Sequence, residues 1–489
     1  MKKVLSLLLV FVLLLSSAIM ITSCGEDEEV KTDKPQTNNS DVATQEGDIF
    51  AERAAIADEL GEYDFEGRKL RLVLHNESEV FIPEEDRNKG DLIKDAKYER
   101  NTKVANRFNF KLEPVYVAGI NEVANWVQKN VLSGADEFDL LVNHVLTTGG
   151  MVTKNLFVNW YDVPNVDFSK PWWAASTSNE LTYDGKCILA VSDFNYSSVS
   201  CTYCMVFNKN LAASYDLGNL YETALSGNWT FANFTNIVKD IWVDSDGSGD
   251  KTENDFFGMV QPTHSRMNQW LWAFDNPIMV KNEEGTPTIS IKTDKINNIV
   301  SEIYNYCYNM NGVGFQFPNE TDMFLEKKTI FMIVPLGDLT SEGFRNFEDE
   351  YGVLPLPKWN EHQPEYKTQS YGEHTVSAIP KTVKDLEFVG TCVEALSAES
   401  YKTVIPTLYE IALKTRYLRD SESKEVLDIV INSRLFDFGY VYDNWQGFGY
   451  TLQNMMTSGQ SNFESYYAKT YPSARIHYKK VIKAFDKLS

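Results

Sequence analysis

The sharpest local motif for chemistry is the run Asp244-Ser-Asp-Gly-Ser-Gly-Asp250 and its continuation to Asp255. Read as a twelve-residue calcium loop, Asp244, Asp246 and Ser248 fall at the first, third and fifth ligand positions. Gly249 takes the sharp turn, Asp250 offers its carbonyl at position seven, and Asp255 stands at position twelve, where Glu is usual. Oxygen-only ligands suit a hard cation, so a structural calcium ion is expected; the alternative is a solvated Gly/Asp turn. Enzyme signatures are missing. His75, His144, His264, His362, His374 and His477 form no HExxH or HxxH pair. There is no G-x-S-x-G elbow, no phosphate-binding G-x-x-x-x-G-K-[ST] loop and no G-x-G-x-x-G. A two-carboxylate hydrolase leaves no local signature, so the 69 acidic residues keep that class open. Cys201-Thr-Tyr-Cys204 has redox-motif spacing, but it falls in a strand-like run at 198–207. Residues three apart on a strand face opposite sides, which predicts ordinary strand cysteines.

The amino terminus carries an address. Met1-Lys2-Lys3 precedes an apolar run at 4–15 and then Ile21-Thr22-Ser23-Cys24. This layout predicts a secretory signal peptide. Its end resembles the lipobox of bacterial lipoproteins, which implies cleavage before Cys24 and a lipid on its sulfur. An uncleaved anchor over 4–21 is the alternative, near the lower length limit for spanning. Removing residues 1–23 takes away Lys2 and Lys3 and no acid, moving the net charge from −23 to −25. So acidic a surface argues against nucleic acid and against docking on anionic lipid. Residues 24–48 contain almost nothing to bury and read as a disordered tether, with a lead-in continuing to 65.

The body must position whatever chemistry remains. Residues 69–74, 110–117 and 138–142 read as strands, with helices at 91–108 and 121–132 between them. Such alternation implies βαβ units and a parallel sheet. Residues 181–191 and 198–207 read as strands, and Asn208 caps a helix running to Tyr215. Thr230 caps another, with Phe231, Phe234, Val238, Ile241 and Trp242 as its apolar stripe. Strands follow at 329–334, 352–357 and 377–380; from about 386 to 488 the pattern is helical.

In that order, several stretches resemble the sugar-binding type of bacterial solute-binding lipoproteins serving ABC importers. They are Tyr98-Glu-Arg-Asn101 with 104–108, the strand at 138–142, and Thr182-Tyr-Asp-Gly-Lys186 through Asn208-Lys-Asn-Leu211. Gly227-Asn-Trp-Thr-Phe231, residues 324–334 and residues 351–357 complete the match. The resemblance implies an α/β fold of two lobes with a ligand cleft between them and a helical C-terminal part. Lobe one would hold 66–193 plus 363–398, and lobe two 194–362 plus 399–489. It implies a carbohydrate ligand, permease subunits as partners, a monomer, and an extracytoplasmic position held by the lipid anchor alone. A secreted, calcium-stabilised polysaccharide-degrading enzyme and a surface adhesion lipoprotein are the alternatives.

In open parallel sheets ligands sit beyond the carboxyl ends of strands. Sugars need aromatic faces and hydroxyl-bonding side chains. The candidates are His75 and Asn76 after the first strand, Asn143 and His144 after the third, and Asp193 and Tyr196 at the inferred crossing. Asn268 and Trp270 lie in an aromatic stretch, Gly337 and Asp338 follow the strand at 329–334, and Tyr371 and Trp445 lie in later loops. No catalytic residue is expected.

Overall fold

The computed structural model describes residues 49–76, 79–174, 179–414 and 421–488. The signal segment, Cys24 and the tether to residue 48 lie outside the described residues. Among the described residues no helix is long and apolar enough to cross a membrane.

Strands β1 (Arg68–Leu74), β2 (Phe110–Tyr116) and β3 (Leu140–His144) open the chain's first sheet. Then come β4 (Tyr203–Asn208), β5 (Trp242–Val243), β6 (Phe256–Gln261) and a hairpin of β7 (Met279–Lys281) and β8 (Pro287–Ile289). They are followed by β9 (Val313–Phe315), β10 (Thr329–Pro335), β11 (Tyr351–Leu354), β12 (Thr368–Gln369), β13 (Thr375–Ala378) and β14 (Arg434–Leu435). Two sheets carry the two lobes. Sheet one has the order β13-β3-β1-β2; sheet two runs β11-β4-β10-β6-β5, with β9 also on β6. In sheet one β1 pairs parallel with β2 and β3, and β13 closes the edge antiparallel to β3. In sheet two β10 is parallel to β6 and antiparallel to β4. β3 and β10 are buried at every residue, as strands covered on both faces must be.

The predicted helix starts hold because their caps do. Asp91 accepts from the amides of Ile93 and Lys94, Asn208 from Leu211, and Thr230 from Asn233. The lead-in to residue 65 packs on the body. Residues 49–65 include a helix, Ile49–Ala54, and Phe65 packs edge-on to Phe388 at 4.8 Å. Residues 181–191 are not a strand. They make only single bridges, such as Ala190 with Ser377; Leu181, Leu189 and Val191 are apolar because they sit in the core. The run at 198–207 divides into a helical turn, Ser197–Ser200, and β4. Cys201 therefore precedes the strand, and both it and Cys204 are free thiols. The strand expected at 377–380 begins two residues earlier, and the helix capped by Thr230 ends at Val238, leaving Trp242 on β5.

The C-terminal part is helical, from Leu386–Glu399 to the long Phe463–Asp486. Inside the first of these, buried Glu394 accepts from the indoles of Trp172 and Trp173, each at 2.8 Å.

Candidate functional site

Register decides what meets at the edge of sheet one. Leu74 pairs with Val142, so His75, just past β1, arrives beside Asn143. Thr375 pairs antiparallel with His144, which brings His374 to the same edge; its carbonyl accepts from Val145 at 2.9 Å. In sheet two, Tyr203 at the start of β4 pairs with Pro335 at the end of β10. Gly337 and Asp338 follow directly, with Gly337 close against Ser200. β6 ends at Gln261, and the next turn supplies Arg266, whose guanidinium lies 3.3 Å from Asp338 and 3.4 Å from Glu320. Tyr371 joins the two edges: its ring lies 5.2 Å from that of Tyr203, and its amide donates to the Cys201 carbonyl.

A loop from the C-terminal part completes the wall. The Trp445 ring lies nearly parallel to the His144 imidazole, at 10° and 6.4 Å between centroids. The loop is set by two glycines in helix Val145–Met151. A Cβ on Gly149 would lie 2.0 Å from the Val441 carbonyl oxygen, and one on Gly150 2.4 Å from Asn444 Oδ1. Asn444 and Trp445 are both left-handed, at φ 46° and 55°.

The imidazoles are neutral. Burial pushes His144 down to about 4, with His75 adding to the effect. Burial pushes His374 to about 3 and holds His75 below its ordinary value. His144 Nδ1 accepts from the Thr147 amide, so the neutral ring carries its proton on Nε2, 3.9 Å from Glu373. His374 Nδ1 lies 2.6 Å from the Tyr371 carbonyl and must donate, leaving Nε2 as an acceptor. That Nε2 is buried without a hydrogen-bond partner among the described residues, while the His75 and Asn143 side chains face each other. Burial also raises Glu373 and Asp338, the latter opposed by Arg266.

Beneath this edge one carboxylate ties the chain together. Glu79 Oε1 accepts from Ser197 N at 2.9 Å, Ser197 Oγ at 2.7 Å and Thr375 Oγ1 at 3.0 Å.

The predicted residues divide accordingly. His75, Asn76, Asn143 and His144 stand on one edge, Gly337 and Asp338 on the other, and Tyr371 and Trp445 between. Asp193 and Tyr196 have other neighbours. Asp193 is raised to about 7 by burial, opposed by Arg434 and Arg53, and the Tyr196 ring sits under Lys97 at 4.2 Å. Asn268 and Trp270 are corrected. Asn268 is buried and spent on Gln453 at both ends of its amide. Trp270 is fully buried, donates to Gln261 and packs among Phe231, Phe274 and Tyr306, so it has no face for a ligand. Sequence reasoning missed Glu79, Tyr203, Arg266, Glu373 and His374. His374 alone had a signal, as a polar residue just before a strand. A pocket of about 340 Å³ elsewhere includes Glu180, Trp272 and Asp437. The Asp437 carboxylate there is committed to Trp272 Nε1 and the amides of Ile278, Met279 and Gly439.

In the acidic loop, carboxylate oxygens of Asp244, Asp246 and Asp255 lie within 4.8 Å of one another. Asp255 is buried and accepts from Trp242 Nε1, Ser245 N and Thr252 N. Ser248 and Asp250 bond each other, Ser248 Oγ donating to the Asp250 carbonyl.

No family model and no curated relative matches the sequence. Solved structures do. The GacH receptor of Streptomyces glaucescens, known unliganded and with acarbose, superposes with a TM-score of 0.52 at 12% identity, over 86% of this chain and 100% of its own. A cyclo/maltodextrin-binding protein complexed with maltotetraose gives 0.53 at 14%, over 88% and 98%. An ABC substrate-binding protein from Listeria monocytogenes in complex with cycloalternan gives 0.50 at 13%, over 86% and 98%. The fold is the two-lobe, periplasmic-binding-protein-like α/β fold.

Proposed function

We propose that this chain is the substrate-binding lipoprotein of an ABC importer. It would bind a neutral carbohydrate between its lobes and deliver it to permease subunits without catalysis. The observation that carries the reading is the chemistry of the convergent edges. Neutral imidazoles, one of them with an unmet acceptor nitrogen, stand beside Tyr371 and the half-exposed ring of Trp445. A buried unpaired acceptor costs about 1–3 kcal/mol, and a sugar hydroxyl in place would remove that cost. The ligands of the three similar proteins, acarbose, maltotetraose and cycloalternan, support the same class. The lobe boundaries, Cys24 lipidation, monomeric state and extracytoplasmic position expected from the sequence belong to this reading.

The test is a thermal-shift screen against a carbohydrate library. A ligand at one hundred times its dissociation constant stabilises by about 2.7 kcal/mol. A library without any stabilising carbohydrate would sink the proposal, and turnover of a polysaccharide would move the hydrolase reading ahead.

We also propose that the Asp244–Asp255 loop holds calcium. Asp244, Asp246 and Asp255 would supply carboxylate oxygens, Ser248 its hydroxyl and Asp250 its carbonyl. The ion would brace lobe two without touching the sugar. The proximity of the three carboxylates supports this, and chelation that leaves melting unchanged would remove it.

A further inference from the structure

A second concavity, of about 730 Å³, lies between the loop carrying Trp445 and two helices, Thr451–Thr457 and Phe463–Asp486. That volume is within the roughly 300–1,000 Å³ of small-molecule sites. Its walls include Trp445, Gln446, Asn454, Gln460, Tyr466 and Lys469. They contain no carboxylate at all, although the chain carries 69 acids against 46 bases. A cationic ligand would call for acidic walls, and an anionic one for more than a single exposed lysine. Amides, hydroxyls and two aromatic rings suit a neutral polyhydroxylated ligand.

Trp445 belongs to both places. Its ring runs parallel to His144 in the cleft, and it also lines the concavity. It is 52% exposed, so core packing gains little from it. Yet its backbone is left-handed, which is uncommon for a bulky residue. Such conformations persist where the surroundings impose them, and they cluster at ligand sites. Here Gly149 and Gly150 pack closely on Val441 and Asn444, in the chain just before it.

We infer that this concavity is an outer subsite, taking further units of a neutral oligosaccharide whose leading unit lies in the cleft, with Trp445 as the dividing wall. The inference rests on the carbohydrate reading above and extends it: the ligand is a chain rather than a single sugar.

The test uses the intact chain and calorimetric titration with α-linked and β-linked gluco-, manno- and xylo-oligosaccharides of increasing length. In the series that binds, affinity should rise at least ten-fold between the shortest bound member and a longer one. Asn454 and Ser465 are exposed on the pocket walls. Asn454→Trp or Ser465→Trp should fill the space and bring the long members down to the affinity of the short ones, whose binding stays unchanged. Affinity independent of length overturns the outer subsite and leaves the cleft reading standing. So does a length dependence that survives both substitutions in folded protein. If no member binds, the carbohydrate reading itself fails, and the subsite with it.

Discussion

Gly149→Ala tests whether the Trp445 loop is clamped in the way described. The new Cβ would lie 2.0 Å from the Val441 carbonyl oxygen, against 3.4 Å for an ordinary contact. The carbonyl must retreat by about 1.4 Å, and it is backbone within the buried turn Phe438–Val441. Overpacking of this kind costs about 1–3 kcal/mol, which should lower the melting temperature by a few degrees. The displaced loop carries Trp445 off His144, so sugar affinity should fall as well, on the scale of an aromatic hot spot, about 2 kcal/mol or roughly thirty-fold. The neighbouring glycine is the control. A Cβ on Gly150 meets first the side-chain oxygen of Asn444, at 2.4 Å, and that side chain can rotate. Gly150→Ala should therefore melt closer to wild type. Calorimetry and titration on both proteins decide the matter. If Gly149→Ala melts and binds like wild type, or Gly150→Ala is the worse, the clamp does not exist.

Trp445→Asn should weaken sugar binding by about 2 kcal/mol with little change in melting, because Asn tolerates the left-handed backbone and half of the indole is already in water; a loss of stability above about 3 kcal/mol would place the ring in the core instead. The folded His374 stays neutral to about 3, whereas an unfolded imidazole takes up a proton near 6.5. Its folded pKa is depressed, so its stabilisation is present above 6.5 and is lost progressively as pH falls toward 3. Wild type should lose up to about 2 kcal/mol relative to His374→Gln between pH 7.5 and pH 5, and parallel stability curves would refute this. With a dissociation constant of 0.1–1 mM, typical of weak extracellular loops, calcium at 1 mM should add about 0.4–1.4 kcal/mol. Asp244→Asn should abolish that increment in melting scans, while Asp255→Asn should destabilise even in chelator because Asp255 also holds Trp242, Ser245 and Thr252.

The four strands of sheet one, and β4, β10 and β11 of sheet two, were legible because their signals are local, whereas β5, β6 and β9 were not expected. The apolar period of β1, the Asp91 cap and the buried run of β10 are each contained within a few residues. The errors came where tertiary burial imitated local pattern. Residues 181–191 are apolar from lying in the core, not from pairing as a strand. Trp270 looked like a stacking platform, and only its contacts with Phe231, Phe274 and Tyr306 show it to be core. Strand ends gave His75, Asn143 and Asp338 without any alignment, since a strand's carboxyl end is visible in sequence. Glu79, Arg266 and Glu373 had no such marker. They reach the site, or the knot below it, through loops whose course depends on how separate strands register.

The knot at Glu79 constrains how the lobes can breathe. Three short bonds converge on one buried oxygen from the two stretches of chain that pass beside it, at Ser197 and Thr375. Hydrogen bonds to a charged group contribute about 1.5–3 kcal/mol each. Sliding the Ser197 stretch past the Glu79 side would have to break both Ser197 bonds at once, whereas a rotation centred on that oxygen stretches neither. A carboxylate so placed suits an axle better than a slide, so any opening between these stretches should follow an arc rather than a shear.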